Sequence, residues 1–177
     1  MSSSEGLFSP GLISSTVAAS FPDSYMIRPL ERGDYAKGFL ECLKVLSAVG
    51  DVTEEQFGER YDWMSQHGKG VHYHVVIEHE AQIVGTGALI VERKFIHNLG
   101  TIGHIEEIAI RKDQQGKMLG LKLIQTLGSI AVNVGCYKTT LGTSEANEPF
   151  YVKCGYQRDG GTMSQYYEEA KSAYERG

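Results

Sequence analysis

Cysteine is scarce in this chain of 177 residues, basic residues are outnumbered, and no long apolar run occurs. Each shortage excludes something. Three cysteines, Cys42, Cys136 and Cys154, are too few and too scattered for a disulfide framework or a CxxC metal knuckle, so reduced thiols and a cytoplasmic location are expected. With 17 Lys and Arg against 22 Asp and Glu, the formal net charge is −5, which argues against a nucleic-acid binder and for a small ligand. No apolar stretch approaches the roughly 20 residues that a bilayer span needs, so no membrane partner is expected. The opening "MSSSEGLFSPGLISSTVAASFPD" lacks a basic segment followed by a continuous apolar one and does not read as a signal peptide. Its serines, glycines and prolines suggest a flexible tail over 1–22, followed by a single domain over 23–177. At 41% hydrophobic, the chain has the material for one core.

What is present is a regular alternation of strand and helix patterns. "YMIRPLE" alternates as a first strand, and Gly33 and Asp34 open a helical stretch through about Ser47. "TEEQFGERYDWMSQHG" has an N-capping Thr53 with acids behind it and stops at Gly68, which makes a second helix. "VHYHVVIEHE" and "QIVGTGALIVERK" read as an antiparallel hairpin, and "TIGHIEEIAI" as the next strand. From Lys117 to about Val134, apolar residues recur at helical spacing, with Gly135 as the stop. "CYKTTLGT" is a strand, "NEPFYVKCG" a short helix and "YQRDGGTMSQYYE" a final strand or bent hairpin. The order predicts an α/β domain, a mixed, mostly antiparallel sheet flanked by helices.

The stretch "RKDQQGKMLG" joins the strand ending at Ile110 to the long helix. Free amides and the positive end of the helix dipole favour a phosphate or pyrophosphate there, and Gly116 and Gly120 permit close approach. The pattern is neither GxxxxGK[ST] nor GxGxxG, which disfavours kinase and Rossmann readings. Adjacent Glu106 and Glu107 on a strand are expected to point to opposite faces. His72 and His74 share a strand face, but no third ligand has suitable spacing, so they read as strand-surface histidines and no metal is expected. Cys136 and Cys154 read as small buried residues.

"QQGKMLG" resembles the acyl-CoA pyrophosphate loop, Q/R-x-x-G-x-G/A, of the GNAT acetyltransferase superfamily, with the middle glycine replaced. With "ERKFIHNLG", "GHIEEIAI", "GCYKTTL" and "FYVKCGY" in that order, the chain resembles the glucosamine 6-phosphate N-acetyltransferase branch from about Tyr25 to Met163. That resemblance implies the GNAT fold, a homodimer, and direct acetyl transfer from acetyl-CoA to the amine of D-glucosamine 6-phosphate on the route to UDP-N-acetylglucosamine. It places catalysis on Glu106, Glu107 and Tyr151, the last stabilising the departing thiolate. Acetyl-CoA as cosubstrate falls to Ile108, Ala109, Ile110, Gln115, Gly116, Lys117, Met118, Leu119, Gly120, Asn147 and Tyr151. The sugar phosphate falls to Ser47, to Lys94, Phe95, Ile96 and His97, to Glu106, and to Tyr137 and Lys138, in part across the dimer.

The chain departs from the family pattern in three places: Glu107 stands where Asp is usual, Gly142 where an acid is usual, and Tyr166 where a basic residue is usual. Two other readings stay open, a GNAT-fold enzyme for another amine and a non-catalytic acyl-CoA sensor. "KFIH" and "CYK" favour an anionic acceptor over a cationic one.

Overall fold

The computed structural model describes residues 6–161, 163–165 and 167. Its centre is a five-stranded sheet in the order β1 (Tyr25–Pro29), β2 (His72–His79), β3 (Gln82–Arg93), β4 (Thr101–Ile110), β5 (Cys136–Thr140). The first four strands are antiparallel neighbours, and β5 joins β4 in parallel. Glu80 and Ala81 both take positive φ, 49° and 59°, the two-residue turn whose twist suits the β2–β3 hairpin.

Helices cover both faces. On one lies α5 (Leu119–Asn133), whose Leu119, Leu123, Ile124, Leu127, Ile130 and Ala131 form a buried stripe against Val75, Ile77, Leu89 and Ile105. On the other lie α2 (Phe39–Leu43) and α3 (Glu54–His67), which pack Phe39, Cys42, Phe57 and Tyr61 against Val76, Ile83 and Ala109. A capping box starts α3: Thr53 Oγ1 accepts from the Gln56 amide at 3.2 Å and Gln56 Oε1 accepts from the Thr53 amide at 2.9 Å. Two short helical segments, α4 (Ile96–Leu99) and α6 (Glu148–Lys153), flank β4 and β5 in the chain.

Four expectations change. The helix expected over 33–47 is split into a 3-10 turn, Arg32–Tyr35, and α2, because Gly38 at φ +84° interrupts it. The segment 6–22, expected as tail, packs on the core instead: α1 (Ser15–Ala18) sits between buried Ile13 and Phe21, the Phe8 ring meets Tyr73 at 5.2 Å, and Asn133 Nδ2 donates to the Leu12 carbonyl at 2.9 Å. Its apolar residues give a polar-looking stretch one buried face. The long helix begins at Leu119, two residues later than expected, since Gly116 and Met118 both adopt left-handed backbone. The described residues of 156–167 form no strand, and Gly160 at φ +82° breaks an extended run there. Tyr166 and residues 1–5 lie outside the described residues.

Candidate active site

Strand β4 builds the site because its two edges are treated differently. Toward β3 it is paired along nearly its whole length, but toward β5 the pairing ends at His104 with Thr140. From Ile105 to Ile110 no strand among the described residues lies beside that edge of β4. A backbone edge of this kind needs other partners, and Gln115 Nε2 supplies one by donating to the Ile110 carbonyl at 3.1 Å.

The fork leads to the start of α5. The first helical bond there runs from the Lys122 amide to the Met118 carbonyl, so the amides before it have no helical acceptor. Gly116, at φ +80° and with open space where a Cβ would stand, and Met118, at φ +62°, shape the turn that presents them. Lys117 Nζ is drawn back, donating to Tyr25 Oη at 2.9 Å and Gln114 Oε1 at 2.8 Å. Gly120 has a packing reason for being glycine: a Cβ would lie 3.2 Å from Phe150 of α6 and 3.9 Å from Ile110. That contact gathers the end of β4, the start of α5 and α6, with Asn147 as the N-cap of α6 and Tyr151 within it. Burial pushes the Tyr151 phenol up from its ordinary value, so its hydroxyl stays protonated at neutral pH.

Between Ala88 and Thr86 of β3, two residues of β4, Glu107 and Ile108, stand opposite the single Gly87. This is a β-bulge, and Glu107 takes φ +54°. It overturns the expectation that the two glutamates face apart. Glu106 is in register with Ala88, which is opposite His74, so these side chains share a face; Glu107 Oε2 reaches the same His74, 3.6 Å from Nε2. His74 holds the Glu107 carboxyl below the usual carboxylate range against the opposing effect of burial, with Arg60 adding to the lowering. His74 is no surface histidine: it is 4% exposed and its Nδ1 is buried without a hydrogen-bond partner, as is that of His72. Covering by α3 was not legible in the strand pattern.

On this face a cleft of about 920 Å³ opens between the 46–52 loop, α3 and β4. Ser47, Arg60, Trp63, His74 and Glu107 line it. The structure thus brings Ser47 and Glu107 together, whereas Glu106, exposed on the same face of the sheet, is not among the residues that line the cleft. It does not bring Lys94, Phe95, Ile96, His97, Tyr137 or Lys138 to that cleft. Those cluster at the opposite end of β4, where the His97 and Tyr137 rings lie 4.9 Å apart, Lys94 pairs with Glu92 at 2.7 Å and Lys138 with Asp159 at 3.1 Å. Sequence reasoning missed Arg60 and His74 as cleft residues, for their relation to Glu107 depends on packing between distant segments. Burial raises the thiols, Cys42 to about 11 and Cys136 and Cys154 less far, which disfavours a cysteine nucleophile. Among the described residues no three His, Cys, Asp or Glu side chains gather as a metal site, and no helix is long and apolar enough to cross a membrane.

The sheet thus forks beside free helix-start amides and a carboxylate-bearing cleft. The model of the acetyltransferase (GNAT) family matches residues 32–156. The glucosamine 6-phosphate N-acetyltransferase of Candida albicans is 43% identical over 140 residues, 79% of this chain and 93% of that protein. The Arabidopsis thaliana enzyme of that name is 38% identical, and its crystal structure superposes with a TM-score of 0.79 over 82% of this chain and 100% of that one. A transcriptional regulator from Bacillus halodurans, at 15% identity and a TM-score of 0.67, shares the fold alone. The chain belongs to the GNAT acetyltransferase family and is homologous to glucosamine 6-phosphate N-acetyltransferases of several species. It is an acetyltransferase acting on an amine, with acetyl-CoA as cosubstrate.

Proposed function

We propose that the protein transfers acetyl from acetyl-CoA to the amine of D-glucosamine 6-phosphate, giving N-acetyl-D-glucosamine 6-phosphate and CoA. The observation that carries this reading is the open edge of β4, with Glu107 at the bulge lining a cleft of about 920 Å³ and free amides at the start of α5. The names of the relatives support the acceptor.

The chemistry follows from the chain's own groups. Amides from Gln115 to Gly120 hold the pyrophosphate of CoA, and the backbone of β4 at Ile108, Ala109 and Ile110, beyond the end of its pairing with β5, pairs with the pantetheine arm. The ammonium of the sugar sits against Glu107, whose lowered pKa keeps it anionic and makes it a binder of cations more than an acceptor of protons. Glu106, or a water it orients, takes the proton and leaves the amine free to attack the thioester carbonyl. Backbone amides of β4 stabilise the oxyanion, and collapse expels the thiolate, to which Tyr151 donates its proton.

The active unit is a homodimer. Phe95, Ile96 and Leu99 are 94%, 63% and 69% exposed on one loop, an apolar patch that a second copy would cover. The same loop carries Lys94 and His97, which do not line the cleft of their own protomer and in this reading serve the partner's. The test is release of free thiol from acetyl-CoA with glucosamine 6-phosphate, glucosamine and spermidine in parallel. Turnover highest with the sugar phosphate is expected. Preference for spermidine would establish a different acceptor, and no turnover with any of the three would favour an acyl-CoA sensor.

A further inference from the structure

Among the polar residues that line the cleft, His74 is the most deeply buried, and the acetyl-transfer chemistry above does not use it. It lies on β2, 4% exposed, with its backbone held on both sides: its carbonyl accepts from the Leu30 amide at 2.9 Å, and it stands in register with Ala88 of β3. The His72 ring stacks beside it, with 6.0 Å between centroids and 19° between planes, which restrains the imidazole. His74 Nδ1 has no hydrogen-bond partner, and Nε2 stands 3.6 Å from Glu107 Oε2, the one ion pair that either side chain makes among the described residues. Glu107 reaches it because the bulge, with φ +54°, takes this residue out of the strand's alternation. The two partners differ in exposure: the Glu107 side chain is about half open to the cleft, whereas His74 is closed beneath it.

We infer that His74 is a positioning residue of the acceptor cleft, whose Nε2–H holds the Glu107 carboxylate from beneath in the orientation in which it meets the ammonium of the amine substrate. The inference rests on the reading of Glu107 as the partner of that ammonium and deepens it. An ionised carboxylate only accepts, so the ring nitrogen that faces it must carry the proton, which in the neutral ring leaves Nδ1 as the bare nitrogen. The separation is a few tenths of an ångström beyond a hydrogen bond, a gap that a small rotation of the glutamate closes, and such contacts tighten when substrate is bound. An untethered glutamate would have to lose its rotamer freedom at each binding event; one held by a rigid ring is oriented beforehand. The same contact is the largest cause of the lowered Glu107 pKa, ahead of burial, which opposes it, so His74 also keeps the carboxylate in the form that attracts a cation.

A double-mutant cycle of His74→Leu and Glu107→Ala tests the assignment, run with whichever of glucosamine 6-phosphate, glucosamine and spermidine the wild type acetylates fastest, so that a different acceptor leaves the positioning open to test. His74→Leu raises KM for the acceptor about tenfold, as expected for loss of a hydrogen bond to a charged group, while kcat and KM for acetyl-CoA stay within about threefold. His74→Gln, which keeps an N–H donor at the end of its side chain, stays within about threefold of the wild type. In the Glu107→Ala background, His74→Leu changes the acceptor KM by less than about twofold, because its effect passes through Glu107. The melting temperature of His74→Leu does not fall, since leucine fills a similar volume and removes a buried nitrogen that has no partner. Long-range nitrogen–proton NMR of the wild-type imidazole at pH 8 gives a readout independent of any variant: a proton on His74 Nε2 is expected, and an Nε2 without one overturns the inference. Additive effects in the double variant, or a harmless His74→Leu beside a damaging Glu107→Ala, overturn the positioning alone. A Glu107→Ala enzyme with the wild-type acceptor KM overturns the reading of Glu107, and the positioning with it.

Discussion

From Thr101 to His104, β4 is hydrogen-bonded on both sides, to β3 and to β5, whereas from Ile105 to Ile110 its only strand neighbour among the described residues is β3. In the first half Ile102 and Gly103 are buried, and no space remains: a Cβ on Gly103 would stand 2.4 Å from Leu89 Cδ1. In the second half the ladder bulges, Glu106 and Glu107 are exposed, and the Ile110 carbonyl is satisfied by a side chain. One strand therefore serves as frame at one end and as polar edge at the other. The framed half fixes the direction in which the open half presents its backbone, which is what preorganised donors require.

The largest effect is expected where the open half meets Tyr151. Tyr151→Phe retains the ring contacts with Phe150 at 5.0 Å and Tyr156 at 6.2 Å and removes only the hydroxyl. Turnover should fall on the order of 100-fold, by analogy with loss of one transition-state donor, while the constants for both substrates change little. Measured where chemistry limits the rate, a Phe variant with wild-type turnover would make Tyr151 a packing residue and leave the open edge without its acid.

In the framed half the corresponding disturbance is structural. Gly103→Ala forces a methyl against Leu89, itself fully buried, and to 3.2 Å from Thr139 Cγ2. Overpacking of this kind costs about 1–3 kcal/mol, read as a lower denaturation midpoint at unchanged slope. Wild-type stability in the alanine variant would mean that β4 and β5 separate easily along their whole length, and the contrast between the halves would fail.

How much of this contrast is legible in the sequence depends on the reach of each interaction. The β-branched runs, the two-residue turn at Glu80 and Ala81 and the stripe along α5 are local patterns, and they predict the strands, the hairpin and the long helix. The loop from Gln115 to Gly120 is also local, so its character as a helix start with free amides can be read directly. The bulge at Glu107 cannot, because it is a matter of register between β3 and β4, settled by what stands opposite Gly87. His74 meets Glu107, and Arg60 lines the same cleft, from segments more than 30 residues away, as the numbering itself shows. The packing of residues 6–22 depends in the same way on Tyr73 and Asn133, and a composition of serine, glycine and proline conceals Phe8, Ile13 and Phe21.

The smallest expected effect concerns Gly142, just beyond the point where β5 leaves β4. A Cβ there meets nothing within 4 Å, and its φ does not require glycine, in contrast to the crowded position of Gly103 on the neighbouring strand. Gly142→Asp should therefore leave stability within about 0.5 kcal/mol of the wild type, as surface substitutions away from special geometry usually do. It would place a carboxylate where the family usually has one, at the mouth of the fork and close in sequence to α6. Added attraction for an ammonium in a solvent-facing position is worth at most about 1 kcal/mol, which corresponds to a rise of up to about fivefold in kcat/KM for the acceptor. The rise should fade with added salt, since an exposed charge is screened. A gain that persists at high salt would place the new carboxylate in a drier part of the fork than its open surroundings imply, and a loss of stability as large as that of Gly103→Ala would show that the second half of the sheet is as tightly framed as the first.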